Sequence, residues 1–173
     1  MTYFVIDIES DGPVAPMYSM VSFGAVVLDT KLDQTFYGQV RSISEKWIPK
    51  ALAVSGHTRA ETLLFPKPEA VMPEFVDWVK THAAKGSKPI FVSDNNGFDF
   101  SFMNYYLWQY VGDNIFGYDT MNMSDLYKGM CKNVKSSFRH LKKTKHTHHP
   151  VDDAKGNAES LLAMRDMGLQ IVL

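Results

Sequence analysis

Apolar residues run almost unbroken through Phe4-Val5-Ile6 and Ile8, and again from Met20 to Leu28, where only Ser22 and Gly24 interrupt. Runs of this length, rich in β-branched and aromatic side chains, read as strands, the first over residues 3–9 and the second from Met20 to Leu28. Asp29-Thr30-Lys31-Leu32-Asp33 has the composition of a turn, and Gln34 to Val40 returns as a third strand. Three strands joined by short connections make an antiparallel meander. A helical pattern starts at about Pro73, with Phe75, Val76, Trp78 and Val79 on one broad face. Lys88-Pro89 opens a fourth strand, Ile90 to Ser93. Phe102, Tyr105, Tyr106 and Val111 lie on a helix that ends near Gly112. Val134, Phe138 and Leu141 stand at i, i+4 and i+7, which predicts a further helix with one apolar face. A last helix begins at Asp152 or Asp153 and turns Ala154, Ala158, Leu161 and Leu162 inward. Strands first, then alternating helix and strand, make an α/β fold. Its sheet is mixed, a three-stranded antiparallel meander plus parallel additions, with helices on both faces. No repeat, low-complexity stretch or linker divides the chain, so residues 1–173 are expected to form a single domain.

Against this pattern a few polar positions are out of place. Asp7 and Glu9 sit one residue apart inside the first apolar strand. Side chains at i and i+2 of a strand point to the same side of the sheet. Two carboxylates side by side in apolar surroundings repel each other and resist desolvation unless something neutralises them. Divalent cations would do so, since hard ions such as Mg²⁺ take a few carboxylate oxygens together with substrate phosphates. A third carboxylate, Asp99, follows the fourth strand in Asp94-Asn95-Asn96-Gly97-Phe98-Asp99. A fourth, Asp153, opens the last helix, with His148 five residues before it.

That constellation resembles the DEDDh (DnaQ-like) 3′–5′ exonucleases, the group that contains the polymerase proofreading epsilon subunit, RNase T and oligoribonuclease. Asp7-Ile8-Glu9-Ser10-Asp11-Gly12 is similar to the family's first motif, D-x-E-T-T-G, with Asp11 in place of the second threonine. Asn95 to Asp99 is similar to N-x-x-F-D, with Asp94 where a histidine is common, and His148 to Asp153 fits H-x-x-x-x-D. Pro49 to Thr58 resembles the segment that caps the terminal nucleotide, with His57 where isoleucine is frequent. The resemblance spans nearly the whole chain and implies a ribonuclease H-like architecture.

It also implies chemistry. Two Mg²⁺ or Mn²⁺ ions would be held by Asp7, Glu9, Asp99 and Asp153, about 3.5–4 Å apart as in other two-metal sites. Asp7 would be shared, Glu9 and Asp153 would hold the ion beside the attacking water, and Asp99 would hold the second through water. His148 would take the water's proton, since histidine side chains titrate near neutrality. Ser10, Gly12, Gly56, His57, Asn95 and Phe98 would meet the terminal nucleotide. The partners implied are the 3′ ends of single-stranded DNA or RNA. Relatives such as RNase T and oligoribonuclease pair, so a homodimer is expected.

Composition narrows the picture further. At 45% hydrophobic and 21% charged residues the chain is globular rather than disordered. The first strand begins at Tyr3, which leaves no room for a signal peptide, and no apolar run is long enough to cross a membrane. A single cysteine, Cys131, excludes an internal disulfide framework and fits a reducing compartment, so a cytoplasmic location is expected. The net charge of −1 excludes coating of nucleic acid by bulk charge. A local groove is another matter. From Lys128 to Val151 there is no acid, while Lys128, Lys132, Lys135, Arg139, Lys142, Lys143 and Lys145 all fall there. The stretch is expected to track the phosphates of a longer strand, with Lys142 and Lys143 remote from the reaction centre.

Each of these residues also has a structural reading. Asp153 alone would be a helix N-cap, with Asp152 the better cap if Asp153 is a ligand. Asp99 alone would be a first-turn acid complementing the helix dipole. His146, His148 and His149 would suit a zinc-binding regulator, although zinc favours a closed set of four ligands and the chain has one thiol. The aromatic run Tyr105 to Tyr110 is mostly core, with one or two rings free to stack on bases. A catalytically silent nucleic-acid-binding module would be expected to lack at least one of Asp7, Glu9, Asp99, His148 and Asp153, and none is missing.

Overall fold

A computed structural model describes all residues 1–173. Five strands form one sheet in the order β3-β2-β1-β4-β5. β1 (Thr2–Ser10), β2 (Met20–Val27) and β3 (Thr35–Gln39) pair antiparallel, as the short connections require. β4 (Pro89–Ser93) lies parallel to β1, and β5 (Thr120–Asn122) lies parallel to β4. The helices are α1 (Pro49–Val54), α2 (Arg59–Thr62), α3 (Pro68–His82), α4 (Asp99–Tyr110), α5 (Met123–Met130) and α6 (Pro150–Asp166). None is long and apolar enough to cross a membrane.

Strand alternation sorts β1 between two cores. Phe4, Ile6 and Ile8 face α3 and α4, where Phe75, Val79, Phe102 and Tyr106 are fully buried. Val5 faces the other way, packing with Val26, Val92, Ala154, Ala158 and Leu161 beneath α6. Asp7 and Glu9 share Val5's parity and therefore look toward α6. One glycine lets that helix come close. Gly24 pairs with Asp7 across the β1–β2 ladder, and a Cβ on it would stand 2.3 Å from the Val151 nitrogen. The first turn of α6 thus rests on the sheet beside Asp7.

The structure corrects several sequence expectations. α3 starts at Pro68, not Pro73. Pro68 occupies the first helical position, where a missing N–H costs nothing, and Pro73 is carried inside the helix. α6 starts at Pro150, for the same reason, with His149 as its N-cap. Asp152 is not the cap; its carboxylate accepts the Thr147 hydroxyl at 3.0 Å. Leu162 is half-buried, while Ala154, Ala158 and Leu161 are fully buried. No helix forms over 134–141. Val134 is 82% exposed, Phe138 alone is buried, and only the single 3₁₀ turn Arg139–Leu141 is present. The apolar residues spaced for a helix there do not share a face, in a segment crowded with like charges. α5 and the three-residue β5 carry too little pattern to be read locally.

Candidate active site

The C-terminal ends of β1 and β4 open side by side, the place where open α/β sheets bind ligands. β1 delivers Asp7 and Glu9. β4 leads through Asp94–Phe98 into α4, whose first residue is Asp99. α6 brings Asp153 over them. Carboxylate oxygens of Asp7, Glu9 and Asp153 lie within 4.8 Å of one another. Asp99 stands outside that spacing, yet among the charges acting on Asp7 it is the largest. Asp99, Glu9 and Asp153 are buried, and Asp7 is partly open to the cleft.

Burial and crowding disfavour the ionised forms. Burial first, then the charges of Asp99, Glu9 and Asp153, hold the Asp7 carboxyl well above its usual range. Burial and the Asp153 and Asp99 charges push Glu9 up to about 7. Burial likewise pushes Asp99 up to about 7, opposed by the Asn95 N–H that donates to its Oδ2 at 3.3 Å. Four carboxylates crowded at one place offer the hard oxygen donors that divalent cations take.

The loop before α6 is tied to the same carboxylate. Asp153 accepts the Thr147 N–H on Oδ1 (3.1 Å) and the His148 N–H on Oδ2 (3.0 Å). So Asp153 organises its own loop without acting as an N-cap. His148 takes a left-handed conformation, φ 60°, and its Nδ1 comes to 3.9 Å from Glu9 Oε1, with the ring half open to solvent. His146, which the motifs leave without a role, places Nδ1 2.8 Å from Asp153 Oδ1 and its ring 4.2 Å from that of His148. No local signal marks it, because its contact depends on how the loop folds back. His149 turns away and stacks on Tyr37 at 4.7 Å. The three histidines therefore do not gather into one set, although ligand atoms of His146, His148 and Asp153 lie within 4.8 Å of one another.

A cleft of about 460 Å³ adjoins Glu9, lined by Ser10, Gly12, Ile48, Val54 and Phe98 among others. Its far wall is held by the residue that departs from the family motif. Asp11 is fully buried, accepts the Ser19 N–H at 2.6 Å and pairs with Arg59 Nη1 at 2.9 Å, while its carbonyl takes the Ile48 N–H at 2.8 Å. Gly56 and His57 do not line this cleft. They lie in a smaller recess of about 170 Å³ with Tyr37, His148 and His149, where the His57 ring meets Phe65 edge-on at 5.0 Å. Asn95 is exposed and acts on Asp99 through its backbone rather than lining the cleft. Lys142 and Lys143 line a basic groove of about 440 Å³ together with Asp94, Arg139, Lys145 and His146. In the aromatic run, Tyr106 is buried with its hydroxyl 3.0 Å from the Met20 nitrogen, and Trp108 is exposed.

A family model described as exonuclease, of the RNase T type, matches residues 4–161. The chain belongs to the exonuclease family. This exonuclease is 34% identical over 126 residues to the 3′-5′ DNA exonuclease Cap18 of Escherichia coli, covering 72% of this chain and 67% of Cap18. The nuclease domain of 3′hExo, a DEDDh family member solved with rAMP, superposes with a TM-score of 0.78 at 19% identity. That match covers 99% of this chain and 96% of the other. E. coli exonuclease I, solved in a zinc-bound form with single-stranded DNA, gives 0.72 at 15% identity, over 96% of this chain and 41% of its own. The enzyme is thus a hydrolase of the DEDDh group on a ribonuclease H-like fold.

Proposed function

We propose that residues 1–173 form a single exonuclease domain that removes nucleoside 5′-monophosphates from the 3′ end of single-stranded DNA or RNA, with two divalent cations and a histidine base. The observation that carries this is the approach of Asp7, Glu9, Asp99, Asp153 and His148 to one another from β1, α4, α6 and the loop before α6. The likeness to Cap18 makes DNA the substrate to test first.

Asp7, Glu9, Asp153 and Asp99 would hold the cations, which when bound supply a nucleophile at neutral pH and offset the charge of the phosphate. His148 is the proton acceptor. It approaches Glu9 from a solvent-open loop, so it reaches the attacking water and can pass the proton on. The new bond joins the water oxygen to phosphorus. The P–O3′ bond breaks, and its electron pair leaves with the 3′ oxygen of the shortened strand, which takes a proton from solvent. Ser10, Gly12, Ile48, Val54 and Phe98 form the seat for the terminal nucleoside, an apolar slot next to the acids.

Digestion of 5′-labelled single- and double-stranded DNA and RNA oligomers tests the reading. A ladder of strands shortened from the 3′ end is expected with Mg²⁺ or Mn²⁺, and none after chelation. Activity that survives thorough chelation, or internal cuts, would sink it. In the same assay His148→Ala should lower turnover by roughly 10²–10⁴-fold, the usual contribution of a general base, while metal and oligonucleotide binding persist. If His146→Ala is the dead variant and His148→Ala is not, the proton acceptor is misassigned.

A further inference from the structure

One side chain fastens the loop that carries Lys142 to α6. Glu159 accepts the N–H of Lys143 at 2.9 Å, the N–H of Thr144 at 2.7 Å and the Thr144 hydroxyl at 2.9 Å. Its carboxylate is occupied by the loop and not by a lysine head. Gly156, one turn earlier on the same side of the helix, gives the loop room. A Cβ there would stand 3.2 Å from the Thr144 carbonyl oxygen and 3.3 Å from Lys142 Cδ. The lysine stem therefore lies directly on α6. Asp153 is three residues before Gly156 on that face, about 4.5 Å along the helix axis.

The head of Lys142 is held and unpaired. Its Nζ sits 5.7 Å from the centroid of the Phe138 ring, and the residue is half-buried while Lys143, Lys145 and Arg139 are exposed. No ion pair of the chain includes it; Lys128, the other half-buried cation of the basic run, is bound to Asp125 at 3.2 Å. The Lys142 charge reaches Asp7, where it works against the three carboxylates. It shares the groove wall with His146, which is bonded to Asp153. So Lys142 is not remote from the reaction centre, as its place in the sequence suggests. It lies on the wall of the basic groove against α6, one turn from Asp153.

We propose that Lys142 is a catalytic residue: its ammonium contacts a non-bridging oxygen of the scissile phosphate, with Glu159 and Gly156 as the positioning residues that hold it there. The proposal rests on the exonuclease reading above. Negative charge on the phosphoryl oxygens must be stabilised as the water oxygen bonds to phosphorus and the P–O3′ bond breaks. An ammonium fixed in advance at those oxygens needs no reorganisation during the step. Lysine keeps its proton throughout, so the water's proton still goes to His148 and the leaving oxygen is still protonated from solvent.

The test uses a substrate with one phosphate, the p-nitrophenyl ester of thymidine 5′-monophosphate, with Mn²⁺. On it Lys142→Met should lower kcat/KM by roughly a hundredfold, the scale of a lost transition-state donor. Lys142→Arg should recover part of that loss. Lys80→Met, on α3 across the sheet, should match wild type. Lys143→Met should lose more on a long strand than on the ester. If Lys142→Met loses only on long strands, Lys142 belongs to the upstream groove and the proposal falls. Binding with Ca²⁺, read by calorimetry, gives a second measure that needs no turnover. Wild type should prefer thymidine 5′-monophosphate over thymidine, and Lys142→Met should lose at least about tenfold of that preference, the scale of one lost charge-assisted contact. An unchanged preference overturns the proposal. A preference that Lys142→Met abolishes in a protein that hydrolyses nothing would overturn the exonuclease reading and leave the phosphate contact standing.

Discussion

Asp7→Asn should abolish turnover while leaving the metal-free protein as stable as wild type or more so. Asp7 lies between the carboxylates of Glu9, Asp153 and Asp99, and its proposed role is to serve both cations. Without it neither cation is held in place, and a loss of roughly a thousandfold or more is expected, equivalent to at least ~4 kcal/mol of barrier. Stability moves the other way. Burial and three neighbouring charges already disfavour ionised Asp7. An amide of the same shape cannot ionise, so it spares the cluster that cost at every pH. In chelator, the melting temperature should therefore hold or rise. A large fall would show that Asp7 acts structurally, and near-normal turnover would show that the cations sit elsewhere.

The second large effect couples pH, metal and stability. Glu9 and Asp99 both titrate at about 7 in the folded chain, against ordinary values of 4.5 and 3.8. A carboxyl whose pKa is raised by folding stabilises fully while both states are protonated, below about pH 4. As pH rises, the unfolded chain releases these protons first, so folding loses support until the folded groups ionise near pH 7. In chelator, melting temperature should fall between about pH 5 and pH 7. The fall reflects the proton affinity that these two carboxyls gain on folding, each tenfold of it worth about 1.4 kcal/mol. Mn²⁺ should reverse the fall at neutral pH, because the cation does there what protons do in mild acid. Scanning calorimetry of wild type against Glu9→Gln isolates the effect from the rest of the chain. A difference between the two that does not change with pH would mean that these carboxyls are better solvated than their burial implies.

Much of this is legible along the chain. The meander follows from three apolar runs with short connections, because a strand's side-chain period is local and antiparallel neighbours need little intervening chain. The face shared by Asp7 and Glu9 follows from the same period. Helix starts are less legible. Proline marks first turns, so Pro73 points to a start for α3 that lies five residues too late, when Pro68 already fills that place. The spacing of Val134, Phe138 and Leu141 suits a helix, but period alone does not say whether a partner surface exists to bury the face.

The sequence by itself pointed to four carboxylates and a histidine as one candidate site, because their order resembles a family's motifs and two of them lie on one side of one strand. Only the tertiary structure decided how they meet. Gly24 lets α6 settle beside Asp7, the Asp11–Arg59 pair joins segments 48 residues apart, and Glu159 holds a loop sixteen residues before it. His146 gains its place at Asp153, and the Lys142 stem its place on α6, from how that loop folds back. Local propensity acts over a turn or a strand, whereas such contacts form only when burial of the whole core brings distant backbone together and makes unpaired polar groups costly.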